Sequence, residues 1–220
     1  MNLDFTGFFI TPIYTTKIVE GVSHLNKICD KIIKDVKNKN KFIYKENKKF
    51  YKKNILDFGM SHHSTSLINN PEFFELKEFI NKSSLKILNH MGYDITNHKI
   101  FWTEMWVQEF AENGGGHHQR HVHNMNHISG FYFLKCSEKT SFPIFHDPRP
   151  AKVISQLPLK KNENNFFGAE LVNYKPVPGT LILFPAFLEH EFEIDYGIEP
   201  FRFIHFNLQC INNLMLEENK

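Results

Sequence analysis

The sequence predicts one mainly β domain of the α+β class: a sandwich or barrel of many short strands, with N-terminal helices packed outside it. Three observations predict this. After Gly92, short aromatic or β-branched runs alternate with turn signals: Asn113-Gly114-Gly115-Gly116, Asp147-Pro148-Arg149-Pro150, Pro178-Gly179 and Tyr196-Gly197. Before Gly92, apolar residues recur at helical spacing. No Ser/Gly-rich linker separates the two parts, and 220 residues suit one domain better than two. The expected division is therefore a single domain over 1–220, with a strand and supporting helices over 1–95 and the β core over 96–212.

The elements follow in order. Phe8 to Ile18 is β-branched and aromatic, which suits a strand, and Pro12 confines it to an edge or a bulge. Val22 to Val36 carries Val22, Leu25, Ile28, Cys29, Ile32, Ile33 and Val36 on one helical face. Lys37 to Lys53 is dense in lysine, with Phe42, Tyr44, Phe50 and Tyr51 interleaved, and reads as a solvated loop rather than a nucleic-acid patch. A second helix is expected from Pro71 to Met91, burying Phe73, Phe74, Leu76, Phe79, Ile80, Leu85, Ile87 and Leu88. Strands are expected near Ile100–Phe110, His127–Cys136, Phe142–Phe145, Glu170–Tyr174, Thr180–Phe184, Glu191–Tyr196 and Phe201–Cys210. The 23 phenylalanines predict an aromatic core for them.

Composition narrows the function classes. A formal net charge of +2 gives no bulk electrostatic case for a nucleic-acid partner, although the Lys37–Lys53 segment leaves one open. No run approaches the ~20 apolar residues of a membrane span. The N-terminus lacks a basic start and a small-residue cleavage site, so it does not read as a signal peptide. Cys29, Cys136 and Cys210 form no C-x-x-C pair, which fits reduced thiols and a cytoplasmic location. Oligomeric state is not legible, and a homo-oligomer stays open.

The chemistry concentrates in Gly114 to His127, which holds five of the 13 histidines. Neutral imidazole is the commonest protein ligand for first-row transition metals. On a strand, side chains at i and i+2 share a face, so His121 and His123 reach one metal if the segment is extended. A third ligand must come from elsewhere. In Gly179-Thr-Leu-Ile-Leu-Phe-Pro185-Ala-Phe-Leu-Glu-His190, a turn, an apolar strand and a proline deliver His190 just past a strand. His117, His118 and His127 read as surface or outer residues. Glycines 114–116 read as a turn and not as a phosphate loop, since no strand–glycine–helix context follows.

Taken in order, these segments resemble the 2OG-Fe(II) oxygenases of marine bacteria and phages, within the double-stranded β-helix (jelly-roll) superfamily. The resemblance rests on Phe9-Ile-Thr-Pro-Ile-Tyr14, Met105-Trp-Val-Gln108, His121-Val-His123 followed by Ser129-Gly-Phe-Tyr-Phe-Leu134, Asp147-Pro-Arg149, Leu181-Ile-Leu-Phe-Pro-Ala-Phe-Leu-Glu-His190, Arg202 and Phe206-Asn207. It implies a jelly-roll barrel and an Fe(II)- and 2-oxoglutarate-dependent dioxygenase that uses O2 to hydroxylate an unidentified substrate. Such a chain, if viral, would work in the host cytoplasm. His121 and His190 become the two histidine ligands; His123 is the third candidate for the metal and catalytic centre, or marks a position left to water. Arg202 is placed to pair with the distal carboxylate of 2-oxoglutarate, as a planar guanidinium grips carboxylates. Tyr132 and Asn207 join it as cosubstrate-binding residues, and Trp102, Trp106 and Phe184 are candidate pocket walls.

Two departures stand out. The usual facial set is two histidines and one carboxylate, and here His123 occupies the carboxylate's place. Asp147 or Glu189 could supply a carboxylate, but neither sits at the expected place. Ile204 stands where some relatives carry a serine two residues after the arginine. Two rivals therefore stay open: a three-histidine cupin-type metalloenzyme that ignores 2-oxoglutarate, and a catalytically silent structural barrel.

Overall fold

A computed structural model describes residues 4, 6–50, 60–155, 157–159 and 167–213. Helix α1 (Val22–Lys39) starts after Gly21, whose φ of 84° suits a glycine, and buries Leu25, Cys29 and Ile33, spaced one turn apart. Helix α2 (Lys41–Phe50) corrects the loop expected there. Lysine and glutamate are good helix formers, and Tyr44 anchors the segment through its hydroxyl at 2.7 Å from His62 Nδ1. Positions 51–53 lie outside the described residues. A 3-10 turn, Pro71–Phe73, is capped by Asn70 and runs into α3 (Phe74–His90). Helix α3 buries Leu76, Ile80, Ile87 and Leu88 but leaves Phe74 and Phe79 exposed, against expectation.

The strands form two antiparallel sheets. The larger has the order β1-β8-β5-β10-β3-β2, from β1 (Tyr14–Lys17), β2 (Ser61–His63), β3 (His98–Phe110), β5 (Ile128–Lys135), β8 (Thr180–Pro185) and β10 (Arg202–Asn212). The smaller has the order β4-β9-β6-β7, from β4 (His118–His121), β6 (Pro143–His146), β7 (Leu171–Asn173) and β9 (His190–Phe192). This is the expected jelly roll. The N-terminal strand is shorter than predicted, since Phe8, Phe9 and Ile10 are exposed and unpaired with the sheet. Strand β2 was not foreseen: three polar residues carry no alternation to read.

The large sheet has two different faces, as a two-residue period requires. One packs on the helices, joining Met105, Val107, Tyr132, Ile204, Phe206 and Leu208 to Leu25, Ile33, Ile80 and Leu88. The other faces the small sheet across a core of phenylalanines, among them Phe131, Phe133, Phe184, Phe192, Phe201 and Phe203. Phe192 and Phe203 stack across the two sheets with centroids 4.7 Å apart. Gly130 allows this sheet to pack tightly, because a Cβ there would collide with the Phe206 ring and the Ile182 carbonyl.

Candidate metal centre

His121 and His190 are cross-strand partners where β4 meets β9. His123 lies past the end of β4, held by its backbone N–H donating to the Ala186 carbonyl at 3.0 Å. That bond ties the histidine loop to the Pro185-Ala186 turn, so the two distant segments close on each other. The ring centroids lie 4.4 Å apart for His121–His190, 4.9 Å for His121–His123 and 5.1 Å for His123–His190. One nitrogen from each ring falls within 4.8 Å of the other two.

The backbone fixes which nitrogen is free. His121 Nδ1 lies 2.6 Å from the Gln119 carbonyl oxygen and His190 Nδ1 lies 2.9 Å from that of Leu188. A carbonyl only accepts, so both Nδ1 atoms donate, and both Nε2 atoms keep a lone pair. His123 Nε2 sits 3.3 Å from His190 Nε2. Burial holds His123 down to about 4 and His190 to about 3, with neighbouring imidazoles also lowering each. At neutral pH the His123 and His190 rings are unprotonated, the form that binds metals. Three converging imidazoles suit Fe, Zn, Ni or Cu. The donor set therefore fits a divalent first-row metal.

The other sequence-predicted residues divide. Asn207 is at the site, its Nδ2 at 2.9 Å from His123 Nδ1 and bonded to Glu104, while the Ser129 hydroxyl donates to its Oδ1 at 2.5 Å. Trp106 and Phe184 also border the histidines, with Phe184 4.8 Å from the His190 ring.

Arg202 and Tyr132 do not come to the histidines. Arg202 faces the helices: its Nε donates to Glu109 at 2.8 Å and its Nη1 to Asp30 at 2.7 Å, with Asn26 beside it. The strand's alternation is the cause, since Arg202, Ile204 and Phe206 point to the helices while Phe203, His205 and Asn207 point between the sheets. Tyr132 shares the helix side and donates its hydroxyl to the Ile18 carbonyl at 2.7 Å. Trp102 does likewise, bonding Asn81 at 2.7 Å. The carboxylates Asp147 and Glu189 are engaged with Arg149 and Arg120.

Other site residues escaped the sequence reading. His205 is buried beside His123, with ring centroids 4.8 Å apart, and with His123 and Glu104 forms a second potential ligand group. Alternation from Asn207 along β10 was the available signal. His118, read as an outer residue, packs against Phe110, Phe192 and His121, with Nε2 at 2.5 Å from Gln108 Nε2. Burial pushes it down to about 3.

Comparison with known proteins places this geometry. Residues 104–205, the stretch that holds all three converging histidines up to His190 and ends at His205, match the family described as "Putative 2OG-Fe(II) oxygenase". This match spans just under half of the chain. The chain also resembles solved structures. A Pseudomonas putida prolyl-4-hydroxylase is 9% identical with a TM-score of 0.53, covering 90% of this chain and 93% of that one. HygX from Streptomyces hygroscopicus, with nickel and 2-oxoglutarate bound, is 10% identical with a TM-score of 0.54, covering 90% and 83%. A 2OG-Fe(II) oxygenase family oxidoreductase from Burkholderia pseudomallei is 12% identical with a TM-score of 0.43; the match covers 64% of this chain and 57% of that one. At these identities the likeness to the prolyl-4-hydroxylase and HygX, whose TM-scores exceed 0.5, shows the fold, which is the double-stranded β-helix of such oxygenases. No curated protein sequence matches. Among the described residues, no helix is long and apolar enough to cross a membrane.

Proposed function

We propose that the chain is an Fe(II)- and 2-oxoglutarate-dependent dioxygenase that hydroxylates a C–H bond of a substrate still to be identified. The observation that carries it is the convergence of the His121, His123 and His190 rings, with two Nδ1 atoms locked by backbone carbonyls. His121, His123 and His190 would hold the metal. When bound, Fe(II) and 2-oxoglutarate would activate O2, the oxidant: one oxygen atom would go to the substrate C–H and the other to succinate as 2-oxoglutarate loses CO2. The protein's part is to fix the rings, through Gln119, Leu188 and Asn207, and to keep water from the site with Phe131, Phe145 and Phe184 around His190.

Anaerobic Fe(II) titration with and without 2-oxoglutarate tests this. A visible charge-transfer band that requires both, and succinate formation on admitting O2, are expected. Metal binding with no response to 2-oxoglutarate would overturn the cosubstrate and leave a three-histidine, cupin-type metalloenzyme. That second reading is favoured by one observation: the arginine expected to anchor the cosubstrate faces the helices instead.

A further inference from the structure

We propose that the distal carboxylate of the 2-oxo acid is held by neutral donors, Trp106, His205 and Gln108, and not by a cation. This rests on the cosubstrate reading above and names the residues that complete it.

The argument begins with unpaired polar atoms. Among the described residues, Trp106 Nε1, His205 Nε2 and Gln108 Oε1 are buried without a hydrogen-bond partner. A buried polar group left unpaired is costly, and several in one place point to a ligand site. These three are neighbours. Trp106 and Gln108 alternate on β3, so they share its inner face, and Trp106 is the cross-strand partner of His205 on β10. The Trp106 and His205 rings lie 4.4 Å apart, and His205 lies 4.8 Å from the His123 ring. The unpaired atoms therefore begin next to the metal ligands and extend away from them.

Their chemistry selects an anion. The indole N–H is donor only, and a neutral imidazole nitrogen can carry a proton. Rotating the Gln108 amide by half a turn lets its oxygen accept from His118 Nε2 and puts its N–H groups where the unpaired oxygen stood, on the strand face it shares with Trp106. All three then donate, and a carboxylate accepts at up to four lone-pair positions. Hydrogen bonds to a charged acceptor are roughly twice as strong as neutral ones, more so in a dry site. A 2-oxo diacid presents such a group beyond its chelating end. The outward turn of Arg202 is then no loss, since it serves the helix interface.

The test uses two probes that share the chelating end. The Fe(II)-loaded protein is titrated anaerobically with 2-oxoglutarate and with 2-oxobutyrate, which lacks the distal carboxylate, and the charge-transfer band is read. Trp106→Phe and Gln108→Leu are each expected to weaken 2-oxoglutarate about ten-fold and leave 2-oxobutyrate unchanged. An unchanged 2-oxobutyrate titration also shows the variant's site is folded. If both acids weaken equally, or neither does, the neutral anchor is wrong while the oxygenase reading stands. If the wild-type protein binds Fe(II) and responds to neither acid, the cosubstrate reading fails, and the anchor with it.

Discussion

Arg202 and His205 share the last strand and face opposite sides of its sheet: the guanidinium reaches Asp30 and Glu109 at the helices, and the imidazole reaches the metal-ligand histidines. The odd separation between them dictates this on any regular strand. It divides the strand's polar residues into one set that holds the helices on and another that builds the site.

The first prediction follows from the helix side. Arg202 and Glu109 are 3% and 8% exposed at their side chains, and Lys37 adds a third charge at 2.8 Å from Glu109. Arg202→Ala leaves Glu109 buried with only Lys37 to compensate. A loss of about 3–5 kcal/mol in unfolding free energy is expected, because breaking a buried pair strands one charge. The double variant Arg202→Met with Glu109→Met should recover most of it. Chemical denaturation measures both. The folded protein should bind metal and 2-oxoglutarate as before; a selective loss of 2-oxoglutarate binding would restore Arg202 to the cosubstrate role.

Asn207 is predicted to act on the metal through His123. Its amide meets His123 Nδ1 at 2.9 Å and is itself held by Ser129 and Glu104. The amide N–H donates to the ring, so it holds the ring's orientation and does not raise its basicity; losing a partner that orients a ligand costs typically ten- to hundred-fold in metal affinity. Asn207→Ala should show that loss by competition titration with a metal indicator. Tyr132→Phe, which removes only a hydroxyl bonded to Ile18 on the far face, should leave metal affinity unchanged and cost about 1 kcal/mol of stability.

Acid should unfold the metal-free protein early. Burial holds His118 and His190 at about 3 and His123 at about 4 in the folded state, against an ordinary value of 6.5. Below pH 6.5 the unfolded chain takes up protons that the folded chain refuses. Stability is therefore complete above pH 6.5 and falls as pH drops toward 3. Thermal unfolding across pH 7.5 to 4 should show a steep decline, shallower with Zn2+ or Ni2+ present, since bound metal keeps the folded rings deprotonated. A flat apo profile would contradict the burial of these rings.

Much of the barrel was legible because its strands carry turn punctuation, and the His121–His123–His190 set because spacing and a proline turn announce it. What was not legible depended on facing. Arg202, Tyr132 and Asn207 were assigned together to the cosubstrate, yet only Asn207 faces inward, since Tyr132 and Arg202 fall on the helix-facing side of their strands. The alternation was in the sequence, but choosing its inner phase needs one anchored position, and both phases here mix bulky apolar residues with polar ones. Phe201 and Phe203 look inward as convincingly as Ile204 and Phe206 look toward the helices. Helix α2 was hidden differently: lysine density reads as solvation whether or not the backbone is helical.

The last prediction concerns charge at the metal. Three neutral imidazoles leave a divalent ion with its full charge, whereas a carboxylate in place of His123 would cancel one unit. His123→Asp converts the set to two histidines and a carboxylate, the composition usual for such centres. A shorter side chain loses the contacts to Asn207 and His190, so total affinity is expected to fall for nitrogen-preferring ions such as Ni2+ and Cu2+. Mn2+ prefers oxygen donors and should hold its affinity or gain. The ratio of the Mn2+ to Ni2+ dissociation constants, measured on both proteins, isolates ligand type from general damage to the site. A fall in that ratio identifies His123 as a ligand; an unchanged ratio means that the metal rests on His121 and His190 with some other partner, for which Glu104 and His205, grouped beside His123, are candidates.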